Sequence, residues 1–250
     1  MIPSSIVRNK SAGVRHPRRV EIPENRRHYF LQVETEVPAV KRDIFAAAGR
    51  ELVQTFIQAG LHPTTSAWYT NAGPIVVMNY WDMGTDANAL LDAELVLPDV
   101  PKFNAFNTIV QKEVKNIVVP IAADQCVPSP NRQGGKLSKN DYRYLHVKIV
   151  IPTVHLAEFA ARVESHIKLF THQRDWYLGN TYLGITGTEG AVSQLWLIRS
   201  TAEGHKKIAT LLADAPWLQK DLLREESPRF QVLRATESDP VLDSSADTLQ

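Results

Sequence analysis

The chain of 250 residues contains two pairs of similar segments at a nearly constant spacing. Residues 30–38 (FLQVETEVP) have a counterpart in 144–152 (YLHVKIVIP), and residues 76–81 (VVMNYW) have one in 191–196 (AVSQLW). The two matches are shifted by 114 and 115 positions along the chain. Two matches with nearly the same offset predict one structural unit of about 115 residues that occurs twice.

The order of secondary structure predicted for each unit is β-α-β-β-α-β. In the first unit Leu31, Val33 and Val37 alternate with polar residues, which is typical of a strand, and Pro38 precedes a segment with helical spacing. A ferredoxin-like unit carries helices on only one face of its sheet, so the other face must be covered. The sequence therefore predicts an α+β fold, in which two tandem ferredoxin-like units pack their sheets face to face as an α/β barrel.

Composition shifts along the chain predict five regions. These are a basic N-terminal arm (1–27), the first unit (28–122), a linker with Pro and Gly (123–142), the second unit (143–235) and an acidic C-terminal tail (236–250). The arm is interpreted as a solvated segment, with contact to phosphates or an acidic partner as the alternative.

The overall charge and the motifs exclude several classes of protein. The formal net charge is +1, which predicts no general attraction to nucleic acid or to a membrane surface. The sequence has no run of 18 apolar residues, and its single cysteine, Cys126, cannot form an internal disulfide, so we expect a cytoplasmic protein. It contains no P-loop, no G-x-S-x-G and no paired-cysteine motif. We therefore predict a small hydrophobic molecule as the partner and no metal or cofactor, and leave a homo-oligomer open.

The third strand of the first unit carries a more specific pattern. Residues 73–81 (GPIVVMNYW) place a Gly-Pro turn before the strand and an aromatic-Trp pair at its end. In this respect the chain resembles the NIPSNAP-like proteins of the dimeric α/β-barrel superfamily, with the two halves fused. The second half keeps Trp196 but has Glu189-Gly190 in place of Gly-Pro. The resemblance implies a small-molecule enzyme and carries over no catalytic residue.

A second resemblance concerns the first helix of the second unit. Residues 163–167 (VESHI) and 180–182 (NTY) are similar to a region of the fused, haem-binding proteins of the same superfamily that are related to chlorite dismutases. That resemblance implies His166 as an axial ligand if haem is present. Haem is therefore the alternative to a site without a cofactor.

On the first strand of each unit, the face opposite the helices carries two polar residues, and these occupy equivalent positions in the two units. Gln32 and Glu34 in the first unit correspond to His146 and Lys148 in the second, and all four point away from the helices. Buried charges require partners. One interpretation is a Glu34–Lys148 salt bridge between the units, and the other is a proton-transfer site that uses His146 or Glu34.

Candidate site residues follow from this arrangement. His166 has helical spacing with Phe159, Val163 and Phe170, which predicts that it faces the space between helix and sheet. The candidate catalytic residues are His166, His146 and Glu34. Aromatic and amide side chains on the strands are either core residues or the lining of a flat pocket; the candidate binding residues are Trp68, Asn79, Tyr80, Tyr182, Gln194 and Trp196.

Together these observations predict a small-molecule enzyme that binds a hydrophobic or aromatic metabolite between sheet and helices. The expected chemistry is a cofactor-free oxidation, cyclisation or isomerisation in a biosynthetic pathway, of the monooxygenase, cyclase or isomerase type. The alternatives are a haem-binding oxidoreductase that uses His166 and a non-catalytic ligand-binding or interaction protein.

Overall fold

The computed structural model describes residues 28–86, 88, 101–122, 137–138, 140–171, 177–199, 212, 214–224 and 228–243. Four parts of the prediction lie outside this part of the chain. They are the basic arm (1–27), residues 123–136 and 139 of the linker, residues 202–211 of a second helix predicted at 202–212 in the second unit, and residues 244–250 of the tail. Within it, no helix is both long and apolar enough to cross a membrane.

The first unit has four strands and two helices. They are β1 (Phe30–Val37), α1 (Arg42–Gln58), β2 (His62–Thr70), β3 (Ile75–Asp82), α2 (Pro101–Asn107) and β4 (Lys112–Ala122). Pro38 ends β1, and its φ of −55° leads into the one-turn 3-10 segment Ala39–Lys41 that precedes α1. Gly60 has a φ of +85° just after α1, a conformation that glycine adopts without steric cost and that ends the helix.

Within the described residues, the second unit repeats the four strands and the first helix in the same order. Its elements are β6 (Tyr142–Val150), α3 (Leu156–Thr171), β7 (Tyr177–Gly184), β8 (Ala191–Arg199) and β9 (Arg229–Ala235). Pro152 again precedes a 3-10 segment, Thr153–His155. Two short strands outside the units, β5 (Leu137–Ser138) and β10 (Leu242–Asp243), pair in parallel with each other.

The eight long strands form a closed barrel in the order β1-β3-β2-β9-β6-β8-β7-β4. Each half has the ferredoxin-like sheet order, with its first strand between its third and fourth strands. The halves join at two seams, where β2 pairs with β9 and β4 pairs with β7, both antiparallel. The predicted fold class is confirmed. The sheets not only face each other but also hydrogen-bond edge to edge, which removes every open edge of the barrel.

Apolar side chains fill the barrel interior and the layer between each helix and its sheet. The second unit has one large cluster in its layer, which includes Phe159, Val163 and Trp196. The layer of the first unit contains two smaller clusters, one around Trp81 and one around Phe45. The two units therefore share their topology but differ in how completely their helix–sheet layers are packed.

The chain after β9 returns to the barrel. Asp239, in the predicted tail, is fully buried and accepts hydrogen bonds from the backbone N–H groups of Ser66, Val241 and Leu242 at 2.8, 2.9 and 2.7 Å. The Tyr144 hydroxyl donates to the same carboxylate at 3.0 Å. Residues 236–243 of the predicted tail are thus held against the barrel, because one acidic side chain there satisfies several buried donors.

Candidate functional site

A cavity of about 350 Å³ lies between α1 and the helix-facing side of β2 and β3, and we call it the first-unit cavity. Its volume is at the low end of the range of small-molecule sites, which is about 300–1,000 Å³. Most of its lining is apolar, one wall carries the polar residues Ser66, Asn79 and Thr236, and charged residues lie at its rim. The main apolar lining residues are Phe45, Val53, Phe56, Trp68, Ile75, Val77, Trp81 and Phe106.

Aromatic pairs shape the walls. The Phe45 and Phe106 rings lie 4.5 Å apart between centroids and belong to one of the two clusters, while Phe56 and Trp81 lie 4.9 Å apart in the other. Gly49 on α1 lines the cavity between these pairs and contributes no side chain. The missing side chain at Gly49 leaves space between the cluster around Trp81 and the cluster around Phe45.

A chain of hydroxyl groups fixes the polarity of the cavity wall. The Thr236 hydroxyl donates to Ser66 Oγ at 2.7 Å, Ser66 Oγ donates to Asn79 Oδ1 at 2.6 Å, and Ser238 Oγ lies 3.1 Å from Thr236 Oγ1. Because Asn79 Oδ1 accepts the bond from Ser66, its Nδ2 group remains as the donor, and Nδ2 makes no hydrogen bond within the described residues. The wall thus presents N–H donors that suit a ligand oxygen.

Arginines gather at the rim. The guanidinium carbons of Arg42 and Arg234 each lie 5.6 Å from the centroid of the Trp68 ring, within the range of a cation–π interaction. Arg143 also lines the cavity, and burial together with the charge of Arg234 lowers the pKa of its guanidinium. Of the lining acids, Asp43 pairs with Arg42 at 2.9 Å. The other lining acid, Glu237, pairs with Arg50.

Among the described residues, the corresponding layer of the second unit is packed with buried side chains. Gln194 occupies the position of Asn79, but its Nε2 donates to Thr181 Oγ1 at 3.2 Å and its Oε1 accepts from Trp217 Nε1 at 3.2 Å. The Trp217 ring stacks on Trp196 with centroids 6.1 Å apart. Gln194, Trp196 and Trp217 are all fully buried. The predicted binding residues Gln194 and Trp196 therefore lie in a packed core in this structure.

His166 lies on α3, away from the first-unit cavity. The residues that α3 buries against the sheet are Phe159, Val163 and Ile167, whereas His166 is only half-buried. Its Nδ1 donates to the carbonyl oxygen of Arg162 at 2.9 Å. The predicted orientation into the layer is wrong, because the sheet-facing stripe of the helix passes beside His166.

The structure also tests whether a haem fits beside His166. The described part of the adjacent layer is occupied by the large apolar cluster of the second unit, with Phe159, Trp196 and Trp217 fully buried. The described contacts of His166 are with Arg162 and Ser165 of its own helix, and His166 is not a member of that cluster. These contacts do not support a bound haem, and we assign no haem ligand.

His146 lies in the barrel interior with two of the predicted binding residues. It is fully buried, and its Nε2 lies 3.4 Å from the Tyr80 hydroxyl. The Tyr80 ring stacks on Tyr182, with centroids 4.8 Å apart. Burial, and secondarily the charge of Lys148, lower the pKa of His146 to about 3, so the imidazole is neutral at physiological pH. Its Nδ1 has no hydrogen-bond partner within the described residues.

The Glu34–Lys148 salt bridge anticipated from the sequence is present. Lys148 Nζ lies 2.6 Å and 2.9 Å from the two carboxylate oxygens of Glu34. Both residues line a second cavity of about 340 Å³ at one end of the barrel interior, together with Gln32 and Ser193. Since Glu34 is already paired with Lys148, the geometry supports a structural role for this salt bridge, which links the two units.

The predicted site residues thus separate into three places. Trp68 and Asn79 line the first-unit cavity, while Glu34, Tyr80, His146 and Tyr182 face the barrel interior. Gln194 and Trp196 belong to the core of the second unit, and His166 lies at its edge.

Three cavity-lining residues, Arg143, Arg234 and Gly49, were not predicted from the sequence. The seam between the units brings the two arginines into the cavity of the first unit, and no pattern within one unit indicates that neighbourhood. The alternation of Leu233 and Arg234 along β9 indicates that Arg234 points away from the buried face, but it does not indicate a cavity there.

Comparisons with known proteins give similarity at the level of the fold. No family model matches the chain, and no curated protein matches it; the NIPSNAP-like resemblance stays a prediction. A proposed monooxygenase from Lactobacillus acidophilus NCFM is similar in structure, with a TM-score of 0.53, 11% identity, and coverage of 86% of this chain and 100% of that chain. A proposed monooxygenase from Fusobacterium nucleatum subsp. nucleatum gives a TM-score of 0.54, 9% identity, and coverage of 84% and 92%.

A mutant chlorite dismutase from Candidatus Nitrospira defluvii is also similar. Its TM-score is 0.50 at 7% identity, and the match covers 84% of this chain and 92% of that chain. At such identities the similarity shows the shared barrel of two ferredoxin-like halves and nothing about the chemistry.

Proposed function

We propose that this protein binds an aromatic small molecule in the first-unit cavity and oxidises it. The observation that carries the proposal is the open, aromatic-lined space between α1 and the sheet, beside a wall that presents the Asn79 N–H donors. Its volume of about 350 Å³ suits a ligand of two or three fused rings. The monooxygenase descriptions of two proteins with the same fold support the reaction class.

In the reaction that we propose for this cavity, a negative charge develops on the ligand. A phenol-type aromatic with an acidic C–H group can lose a proton and delocalise the negative charge onto a ring oxygen, which Asn79 Nδ2 would hold by hydrogen bonding. Dioxygen is the oxidant in the proposal: one oxygen atom enters the ligand, which loses two hydrogens, and the other leaves as water. The protein contributes orientation, exclusion of bulk water and stabilisation of the oxyanion.

The titratable side chains of the lining belong to the rim. Arg42, Asp43, Arg234 and Glu237 are exposed and Arg143 is half-buried, so the proton from the ligand passes to water or a rim carboxylate. None of the candidate catalytic residues Glu34, His146 and His166 lines this cavity. That separation favours a second candidate function, a binding protein that carries the aromatic molecule without converting it.

Asn79→Leu tests both candidates, because it removes the N–H donors at similar volume. Purified protein is mixed with 2-naphthol and with anthracen-9-one, and binding is followed by calorimetry while oxygen uptake and products are followed by an electrode and mass spectrometry. Turnover by the wild type that falls by about a hundredfold in Asn79→Leu supports the enzyme.

The control is Asn107→Leu, which makes the same change at an exposed position and should leave binding and turnover unchanged. Binding without oxygen uptake supports the carrier. Lack of binding of either compound to the wild type contradicts both functions.

A further inference from the structure

We propose that the first-unit cavity selects aromatic ligands that carry a carboxylate, and that Arg143 and Arg234 from the second unit bind that carboxylate. This inference rests on the proposed function and specifies its substrate class. The two arginines stand where the last strand of the second unit meets β2, since Trp68 pairs with Arg234 in the register of β2 and β9. Arg143 and Arg234, which line the cavity of the first unit, therefore belong to the second unit.

Arg143 and Arg234 bring two positive charges to the rim of the cavity. Arg234 forms no ion pair within the described residues, and its guanidinium lies against the Trp68 ring. The carboxylates of the lining are engaged by Arg42 and Arg50. Arg143 lines the same rim, where its Nη1 donates to the carbonyl oxygen of Tyr142 at 2.8 Å. Because a guanidinium carries five N–H donors, an anion can bind beside that contact and be shared with Arg234.

The second unit supplies an internal comparison. At its own seam, in the register of β4 and β7, Val119 pairs with Leu183 where Arg234 and Trp68 pair in the first unit. Val119 is buried in the apolar cluster that fills that layer. Cations therefore occur at the seam beside the open cavity, and an apolar side chain occurs at the seam beside the filled layer.

The geometry also orients the ligand. The arginines lie at the rim and Asn79 Nδ2 lies at the wall, so a carboxylate at one end would place the ring between Trp68 and the phenylalanines and would direct a ring oxygen toward Asn79. The arginines would then bind the carboxylate, and Asn79 Nδ2 would bind the phenolate oxygen. Guanidinium groups suit the carboxylate because they offer paired N–H donors.

The test compares 6-hydroxy-2-naphthoate with its neutral counterpart 6-hydroxy-2-naphthamide in calorimetric titrations of the full chain. The wild type should bind the carboxylate about tenfold more tightly or better, with a preference that shrinks in high salt. Arg234→Met and Arg143→Met should each reduce the preference to less than about threefold. Arg229→Met, which removes the same charge from β9 outside the cavity lining, should retain it.

Each outcome is informative. Equal affinity for the two compounds overturns the carboxylate inference and leaves the proposed function standing. A preference that both arginine variants retain also overturns the inference, because the carboxylate must then bind elsewhere. If neither compound binds the wild type, and neutral 2-naphthol does not bind either, the proposed function fails together with the inference.

Discussion

His146 should make the stability of the barrel depend on pH in a defined direction. Its imidazole is fully buried next to Tyr80, and the positive charge of Lys148 also acts on it. Burial, and then Lys148, lower the pKa from 6.5 to about 3 in the folded state, whereas the unfolded chain keeps the ordinary value. Between these two pKa values the unfolded chain binds a proton that the folded chain does not.

The magnitude follows from proton linkage. Stability is fully present above the unfolded pKa of 6.5, falls by about 1.4 kcal/mol per pH unit below it, and levels off near the folded pKa of about 3. Lowering the pH from about 7.5 to about 5 should therefore cost about 2 kcal/mol through this residue alone. Asp239 acts in the opposite direction, because burial raises the pKa of its carboxyl and its buried charge is relieved as the pH falls.

The assay is urea unfolding followed by circular dichroism at several pH values between about 5 and 7.5 for the wild type, His146→Leu and His146→Gln. Both variants remove the titrating group, so both should show a flatter slope than the wild type by about 2 kcal/mol across this range, whatever their absolute stability. His62→Gln, a change at an exposed position on β2, should keep the wild-type slope. Unchanged slopes in both His146 variants would refute the argument that burial holds this imidazole neutral.

Three other changes address the two helix–sheet layers and the barrel interior. Gly49→Ala should raise the free energy of unfolding by about 0.5–1 kcal/mol, because the new Cβ would meet only Phe106, at 4.0 Å, and glycine weakens a helix; a loss of stability in urea titrations would contradict the open cavity. Trp217→Ala should lower it by about 3–5 kcal/mol, and a loss below about 1 kcal/mol would speak against the filled layer. A double-mutant cycle of Glu34→Gln and Lys148→Met should give a coupling of about 1 kcal/mol or less that declines in salt, since the lysine is 45% exposed; a coupling insensitive to salt would argue against this geometry.

Much of the fold could be predicted because the repeat constrains it strongly. Alternation in β1 and β6 identified which residues face the helices, and the structure places Leu31 and Val33 in a helix-side cluster with Gln32 and Glu34 on the opposite face. That single assignment also anticipated the Glu34–Lys148 ion pair. The closure at two seams could not be read from the sequence, because strand pairing between units leaves no local pattern.

The candidate site was less accessible to prediction. Trp68 and Asn79 were identified by strand position, but the same logic selected Gln194 and Trp196, whose layer is closed by Trp217. Corresponding positions in a repeat share an orientation but not a degree of packing. His166 was misplaced for a related reason: a position three residues from Val163 can fall beside the buried stripe of a helix as well as within it.

The contrast between the two layers shows how a duplicated fold can use one unit for a packed core and the other for a ligand cavity. In the second unit Trp217 satisfies the oxygen of Gln194 and excludes space for a ligand, so a buried amide becomes part of a rigid core. In the first unit Asn79 receives only a hydroxyl donor on its oxygen, and its N–H groups remain for something that is not part of the chain. An open, partly polar cavity stabilises a domain less than a packed core does, and closure of the barrel lets the packed unit support the open one. A site built in this way depends on both halves, because Asn79 comes from the first unit whereas Arg143 and Arg234 come from the second.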